Sequence, residues 1–424
     1  MVGSPRRVVL TGIGITSSIG LGAAAFWNSL SQGRTGIKPI TAFDASGLTT
    51  RIGGQITDFD AKNYLDKKDR KSLRIMARPI QLAVAAAQLA LDDSQIDKNK
   101  LDPTRFGVEF GAGLMPTELD ELVAASRAST NGQSGKVDLK LWGEHGLAAI
   151  PPLWMLKYLP NMHACHVSIL HNAQGPNNSI TESDVAGLLA LGEAARILRR
   201  DQADFFLVGG ADGKINPLSM VRQCLFGHLS QRNDPAAQAC RPFDRHRDGT
   251  VIGEGSGVLA VEDLGHAQKR GASIYGEIMG FGAAFDRGCT GRGLARAIRA
   301  ALAQANAKPD DIGHVNAHGL SSIHADAWEA RGIREVFGDR KTPVWAGKSY
   351  FGNMGSGGPL VEIAGSLLAL KHGLLPATLN YEEVDPLCPI SVNRTSQPLT
   401  NPLFLKISFT EMGQCAAVVC RKWE

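Results

Sequence analysis

Short apolar runs alternate along this chain with alanine-rich stretches of helical period. RVVLTGIGI (7–15) reads as a buried strand, and PIQLAVAAAQLALDDSQI (79–96) spaces its apolar residues as a mostly buried helix does. FGVEFGAG (106–113), ADFFLVGGAD (203–212), GVLAVED (257–263) and IYGEIMGFGAA (274–284) read as further strands. A second series follows, with helices over 293–307, 325–338 and 358–373 and strands within 311–319 and 343–349. Two closing strands are expected at 402–409 and 414–423. Strands alternating with helices over this length predict parallel sheets covered by helices. The proline-containing region 114–160 has no clear period and reads as an irregular loop insertion.

The stretch GPNNSITESDVAG (175–187) reads as a turn, a short polar strand and the start of the helix LLALGEAARILRR. A strand-to-helix junction often carries a nucleophile, and here the junction holds Asp184. Two more segments place reactive side chains at strand ends, where α/β sites assemble. His318 lies in the glycine turn of NAHGLSS, and Lys348 and Asn353 lie in GKSYFGNMGSGG.

Composition narrows the classes. The charge is +4, from 45 basic and 41 acidic residues among 424, without the basic excess of a dedicated nucleic-acid binder. Seven scattered cysteines lack zinc spacing and read as reduced thiols of a cytoplasmic protein. No run approaches a membrane span, and the N-terminus has no signal-peptide core. His163 and His166 stand at i, i+3 but lack an evident third ligand. His318, His324 and Asp326 form another conceivable ligand set. The basic run KKDRKSLR (67–74) suits either a solvated face or an acidic partner. GEGSGV (253–258) has only a superficial likeness to a phosphate loop.

Several blocks, in order, resemble the β-ketoacyl-acyl-carrier-protein synthases. They are VVLTGIGITSSIG, the region from GPNNSI to AGLLALGEAARIL, residues 239–282, VNAHGLSS, AGKSYFGNMGSGGPLVEIAG and LLPATLNYEEVDPLC. The resemblance implies an α/β, thiolase-like fold with two similar βα halves in layered αβαβα order. Its halves are placed at 1–260 and 261–424. It also implies an acyl-carrier-protein partner, a homodimer or a heterodimer with an intact ketosynthase, and neither metal nor cofactor.

In that family a Cys at a helix N-terminus takes the acyl chain as a thioester, and two His and a Lys assist decarboxylation of malonyl. Carried over by position, the Cys place is Asp184, the second His place is Asn353, and His318, Lys348 and Glu329 are retained. The family's glycine-rich gate loop corresponds to Phe409, Thr410, Glu411, Met412 and Gly413, with Glu411 at the gating aromatic. Asp184 is expected to cap the helix, and Lys348 to pair with Glu329. A carboxylate cannot form the acyl thioester, because its attack would give a mixed anhydride that hydrolyses readily. Three readings follow: a non-condensing partner resembling a chain-length factor, an enzyme of altered chemistry using Asp184 and His318, and a non-catalytic homodimer that binds acyl groups or carrier protein.

Overall fold

The computed structural model describes residues 6–130 and 135–424. Ten principal strands form one continuous sheet path: β1 Val8–Ser17, β2 Phe106–Ala112, β3 Asn177–Ile180, β4 Phe205–Gly213, β5 Glu254–Asp263, β6 Gly276–Phe285, β7 His314–Asn316, β8 Val344–Trp345, β9 Leu403–Phe409 and β10 Gln414–Lys422. Their spatial order is β8-β7-β9-β10-β6-β1-β5-β4-β2-β3. Within each set of five, counted along the chain, the order is third, second, fourth, fifth, first. The two sets meet at their first strands through a short antiparallel pairing, Val9 with Glu277 and Leu10 with Gly276. In each set the second strand is parallel to the third and the fourth. Their carboxyl ends therefore point one way, and loops leaving them can converge on one site.

The main helices are α1 Ala23–Ser31, α2 Arg78–Ser94, α3 Leu119–Ala128, α4 Met162–His171, α5 Ala186–Arg199, α6 Pro217–Phe226, α7 Arg292–Ala305, α8 Ile323–Phe337 and α9 Gly358–His372. Side-chain alternation along the strands sorts the core into layers. Phe206 and Val208 of β4 face a central cluster with α5 and α9, while Phe205 and Leu207 face α2 and α4. Leu405 and Ile407 of β9 face α7 and α8 on the far side. The result is the expected helix–sheet–helix–sheet–helix layering.

Helix α9 lies in the middle layer, and residues 358–370 are all buried. A helix enclosed on every side needs no polar face, which is why its sequence is apolar nearly throughout. Burying Leu360, Ile363 and Leu367 contributes about 2 kcal/mol each. Close packing depends on glycine at two places. A Cβ on Gly14 would sit 1.8 Å from the Ala86 carbonyl oxygen of α2, and one on Gly187 would sit 2.5 Å from the Ser356 oxygen. The second contact sets how closely the starts of α5 and α9 approach.

Two sequence expectations change. The strand expected at 343–349 is only Val344–Trp345, and Lys348 opens the helical turn Lys348–Phe351. Region 114–160 is not simply irregular: it contains α3, with Asp120 and Glu121 favourably placed in its first turn, and short turns such as Trp154–Lys157. The GEGSGV segment runs into β5, where Gly257 lets the sheet touch the Val361 nitrogen of α9. Among the described residues no helix is long and apolar enough to cross a membrane.

Candidate active site

The site assembles where carboxyl ends of strands from both halves meet. The chain after β3 forms the turn Ser183–Val185 and then enters α5. The chain after β7 carries His318, and the end of β9 carries Ser408 and Phe409. The Ser408 hydroxyl donates to the Asp184 carbonyl oxygen at 2.9 Å and lies 3.3 Å from His318 Nδ1. This one side chain ties the two halves together between Asp184 and His318.

Asp184 does not cap α5. Val185 occupies the cap position, without a side-chain cap bond. Instead Asp184 Oδ2 accepts from the Ser183 hydroxyl at 3.1 Å, and Oδ1 is buried without a hydrogen-bond partner among the described residues. Ser183, just before it, has a positive φ of 47°. Beneath it lies a charged pair, Lys214 Nζ with Asp212 Oδ2 at 2.9 Å. Burial opposes the Lys214 charge, but the carboxylates of Asp212 and Asp184 more than offset this and raise its pKa.

His318 is fully buried. Burial, with the charges of Lys348 and Lys406, holds its pKa far below the ordinary value, so the ring is neutral. The Lys348 ammonium donates to Nδ1 at 3.1 Å, which leaves the ring proton on Nε2. Nε2 has no partner among the described residues. It is therefore an unspent donor, of the kind that stabilises charge developing on a carbonyl oxygen.

Lys348 does not pair with Glu329. Its ammonium contacts Glu362 of α9 at 2.7 Å and donates to the His318 carbonyl oxygen at 2.8 Å. Glu362 also meets Lys406 at 2.5 Å. Glu329 instead accepts the backbone N–H groups of His318 at 2.6 Å and Gly319 at 2.8 Å. Two backbone donors on adjacent residues suit the two oxygens of one carboxylate, and this holds the His318 turn in place. Burial and the nearby Asp326 raise the Glu329 pKa, while those N–H groups act the other way.

Asn353 is held by its backbone, which donates to the Val251 carbonyl oxygen at 2.7 Å and accepts from the Gly253 N–H at 2.9 Å. The following turn, Gly355–Gly357, packs on Ser183–Val185. The Asn353 side-chain oxygen accepts the Gly355 N–H at 3.2 Å. Phe409 packs edge-on against His318, with centroids 4.5 Å apart, and against Trp328 at 4.1 Å. Thr410 and Gly413 are buried in the turn between β9 and β10, whereas Glu411 and Met412 are exposed at its tip. Glu411 lines a surface pocket with Cys289, His324 and Trp328.

Other candidates separate from the site. Asp326 accepts the Phe243 N–H at 2.7 Å and faces Arg247, a structural role, while His324 is on the surface. His163 and His166 are buried in α4, and no group of three metal-ligating side chains occurs among the described residues. Sequence reasoning missed Glu362, Lys406 and Ser408. The signal for the first two was present: one Glu in an otherwise apolar helix and one Lys inside the strand LFLKISF.

A layered α/β fold whose two halves bring a helix-start residue, a neutral His and a buried Lys together defines the condensing-enzyme class. The β-ketoacyl synthase N-terminal domain model matches residues 5–267, and the C-terminal domain model matches 275–382. The chain belongs to the β-ketoacyl synthase family. It is 34% identical over 430 residues to 3-oxoacyl-[acyl-carrier-protein] synthase 2 of Synechocystis, covering 99% of both chains. It is 37% identical over 395 residues to the tetracenomycin polyketide synthase ketoacyl synthase alpha subunit of Streptomyces glaucescens, covering 91% of this chain and 89% of that one. Among solved structures, the ishigamide ketosynthase/chain length factor superposes with a TM-score of 0.87 at 28% identity, covering 99% of this chain and 100% of that one. A type II polyketide acyl-carrier protein in complex with its ketosynthase bound to the hexaketide gives a TM-score of 0.85 at 27% identity, with the same coverage. These likenesses confirm the thiolase-like fold and place the chain among the ketosynthases of fatty-acid and polyketide synthesis.

Proposed function

We infer that this chain is a non-condensing member of the ketosynthase family, a partner subunit that shapes an acyl site as a chain-length factor does. The observation that carries this reading is Asp184 at the start of α5, bonded through its backbone to Ser408 beside His318. A carboxylate there cannot hold the acyl group as a thioester. The neighbouring cysteines along the chain are Cys165 and Cys224, so no thiol replaces it within the junction.

Two surface features support the expected partners. The sheet ends at β3, a partly exposed edge strand, and Leu225 and Phe226 are exposed apolar side chains of the same half. An unpaired edge with apolar surroundings suits a second subunit, either an intact ketosynthase or another copy. Lys67, Lys68, Lys71 and Arg74 are exposed and make no ion pair among the described residues, which suits an acidic acyl-carrier protein.

A second reading has its own observation. Asp184 Oδ1 and His318 Nε2 are both buried without partners. A carboxylate acceptor and an N–H donor on one site could activate water or polarise a thioester carbonyl, which is the chemistry of hydrolysis or decarboxylation. The test is turnover of malonyl- and acyl-carrier protein, reading CO₂ and free acid. The partner reading expects neither product from the isolated protein. Release that disappears in Asp184→Ala would replace it with the altered enzyme.

A further inference from the structure

A cleft of about 780 Å³ opens beside Ser183, at the carboxyl ends of the parallel strands β2, β3 and β4. Its size is within the range of small-ligand sites. Leu114, Met115, Pro116 and Leu218 make it largely apolar. Two cations line it: Lys214, directly after β4, and Arg222 on α6.

The cations differ in their pairing. Lys214 is held from behind by Asp212 at 2.9 Å, with Asp184 beyond. Arg222 is exposed, makes no ion pair among the described residues, and lies close enough to Lys214 for the two charges to repel. A plain saturated chain gains nothing from a guanidinium in its pocket and leaves that group's donors to water. An anionic group between Arg222 and Lys214 would relieve their repulsion and accept charge-assisted hydrogen bonds.

We propose that Lys214 and Arg222 form an anion clamp in the cleft beside Asp184, selecting acyl groups that end in a carboxylate over plain fatty acyl groups. This rests on the acyl-site reading and adds the class of acyl group. The apolar wall takes the methylene chain, and the clamp takes the far carboxylate. Lys214 is fixed by Asp212, so it positions the anion, while Arg222 is free to adjust and close on it.

Calorimetry with N-acetylcysteamine thioesters separates the possibilities. Octanoyl thioester is compared with the thioester of octanedioic acid, which has the same number of carbons and a free carboxylate. Wild type is expected to bind the carboxylated thioester ~10-fold more tightly at low salt, with the preference shrinking as salt rises. Arg222→Gln, an exposed helix position, is expected to bring the preference close to one. Lys214→Met should do the same but leaves Asp212 buried without its cation, so Arg222→Gln carries the test if Lys214→Met fails to fold. Equal or tighter binding of octanoyl thioester by wild type would overturn the clamp and leave the acyl site standing. A preference that survives Arg222→Gln would overturn it too. Displacement of the carboxylated ligand by phosphopantetheine alone would assign the two cations to the phosphate of a carrier arm and overturn it as well. If neither thioester binds, the acyl-site reading falls and takes the clamp with it.

Discussion

At Glu362 two ammonium groups, those of Lys348 and Lys406, lie 2.7 and 2.5 Å from one buried carboxylate. Neutralising that acid strands two cations in the interior. Glu362→Gln should therefore cost about 3–5 kcal/mol in urea unfolding. Glu329→Gln should cost less, about 1–2 kcal/mol, because an amide keeps one acceptor for the two backbone N–H groups. Equal losses, or a larger loss at Glu329, would restore the ion pair expected from sequence. Asp184, His318 and Lys348 were legible because each follows a strand end in a glycine-rich or turn-rich stretch. The partner of Lys348 was not legible. Position in a motif does not tell which of two buried acids, 33 residues apart on α8 and α9, faces the ammonium. The capping expectation for Asp184 failed as well, and the positive φ at Ser183 is a backbone property that no side chain announces.

Helix α4 buries three imidazoles, His163, His166 and His171. Burial lowers His163 and His171 to about 4 from the usual 6.5. Between those values the unfolded chain takes up protons that the folded chain refuses, so stability falls as pH drops from 6.5 toward 4. Each of the two should cost on the order of 2 kcal/mol by pH 5 relative to neutral pH. Glu109 has the opposite dependence: burial pushes its carboxyl up to about 8, so stability falls as pH rises from 4.5 toward 8. Thermal unfolding across pH 4.5–8 should show both limbs, and His163→Phe should flatten the acid one. The turn between β9 and β10 behaves differently. Glu411 is at its exposed tip, so Glu411→Ala should move the unfolding free energy by no more than ~0.5 kcal/mol. Helices and strands with a strong period were legible to within a few residues, as at α2, α7 and β9. The strand around Val344 was overread because apolar content alone does not tell a two-residue strand from a longer one. Region 114–160 was underread because α3 shows only a modest apolar face.

The molecule as a whole repeats one five-strand order twice and places the starts of α5 and α9 together in the buried middle layer. That layout explains why residues as distant as Asp184, His318 and Ser408 meet. It was legible as alternating strands and helices, and more fully through the family's ordered sequence blocks. The cleft with Lys214 and Arg222 was not, because its lining comes from segments far apart in sequence: the stretches after β2, β3 and β4, Pro160 and helix α6. On the proposed reading the pocket keeps room for an acyl group but has Asp184 where a thiol would capture it. Intact-protein mass spectrometry of wild type and Asp184→Cys, each incubated with acyl-carrier protein bearing an acyl chain, tests this most directly. No mass gain is expected on wild type, and one acyl mass is expected on Asp184→Cys. An acyl adduct on wild type would contradict that reading, and so would an Asp184→Cys protein that folds but stays unmodified.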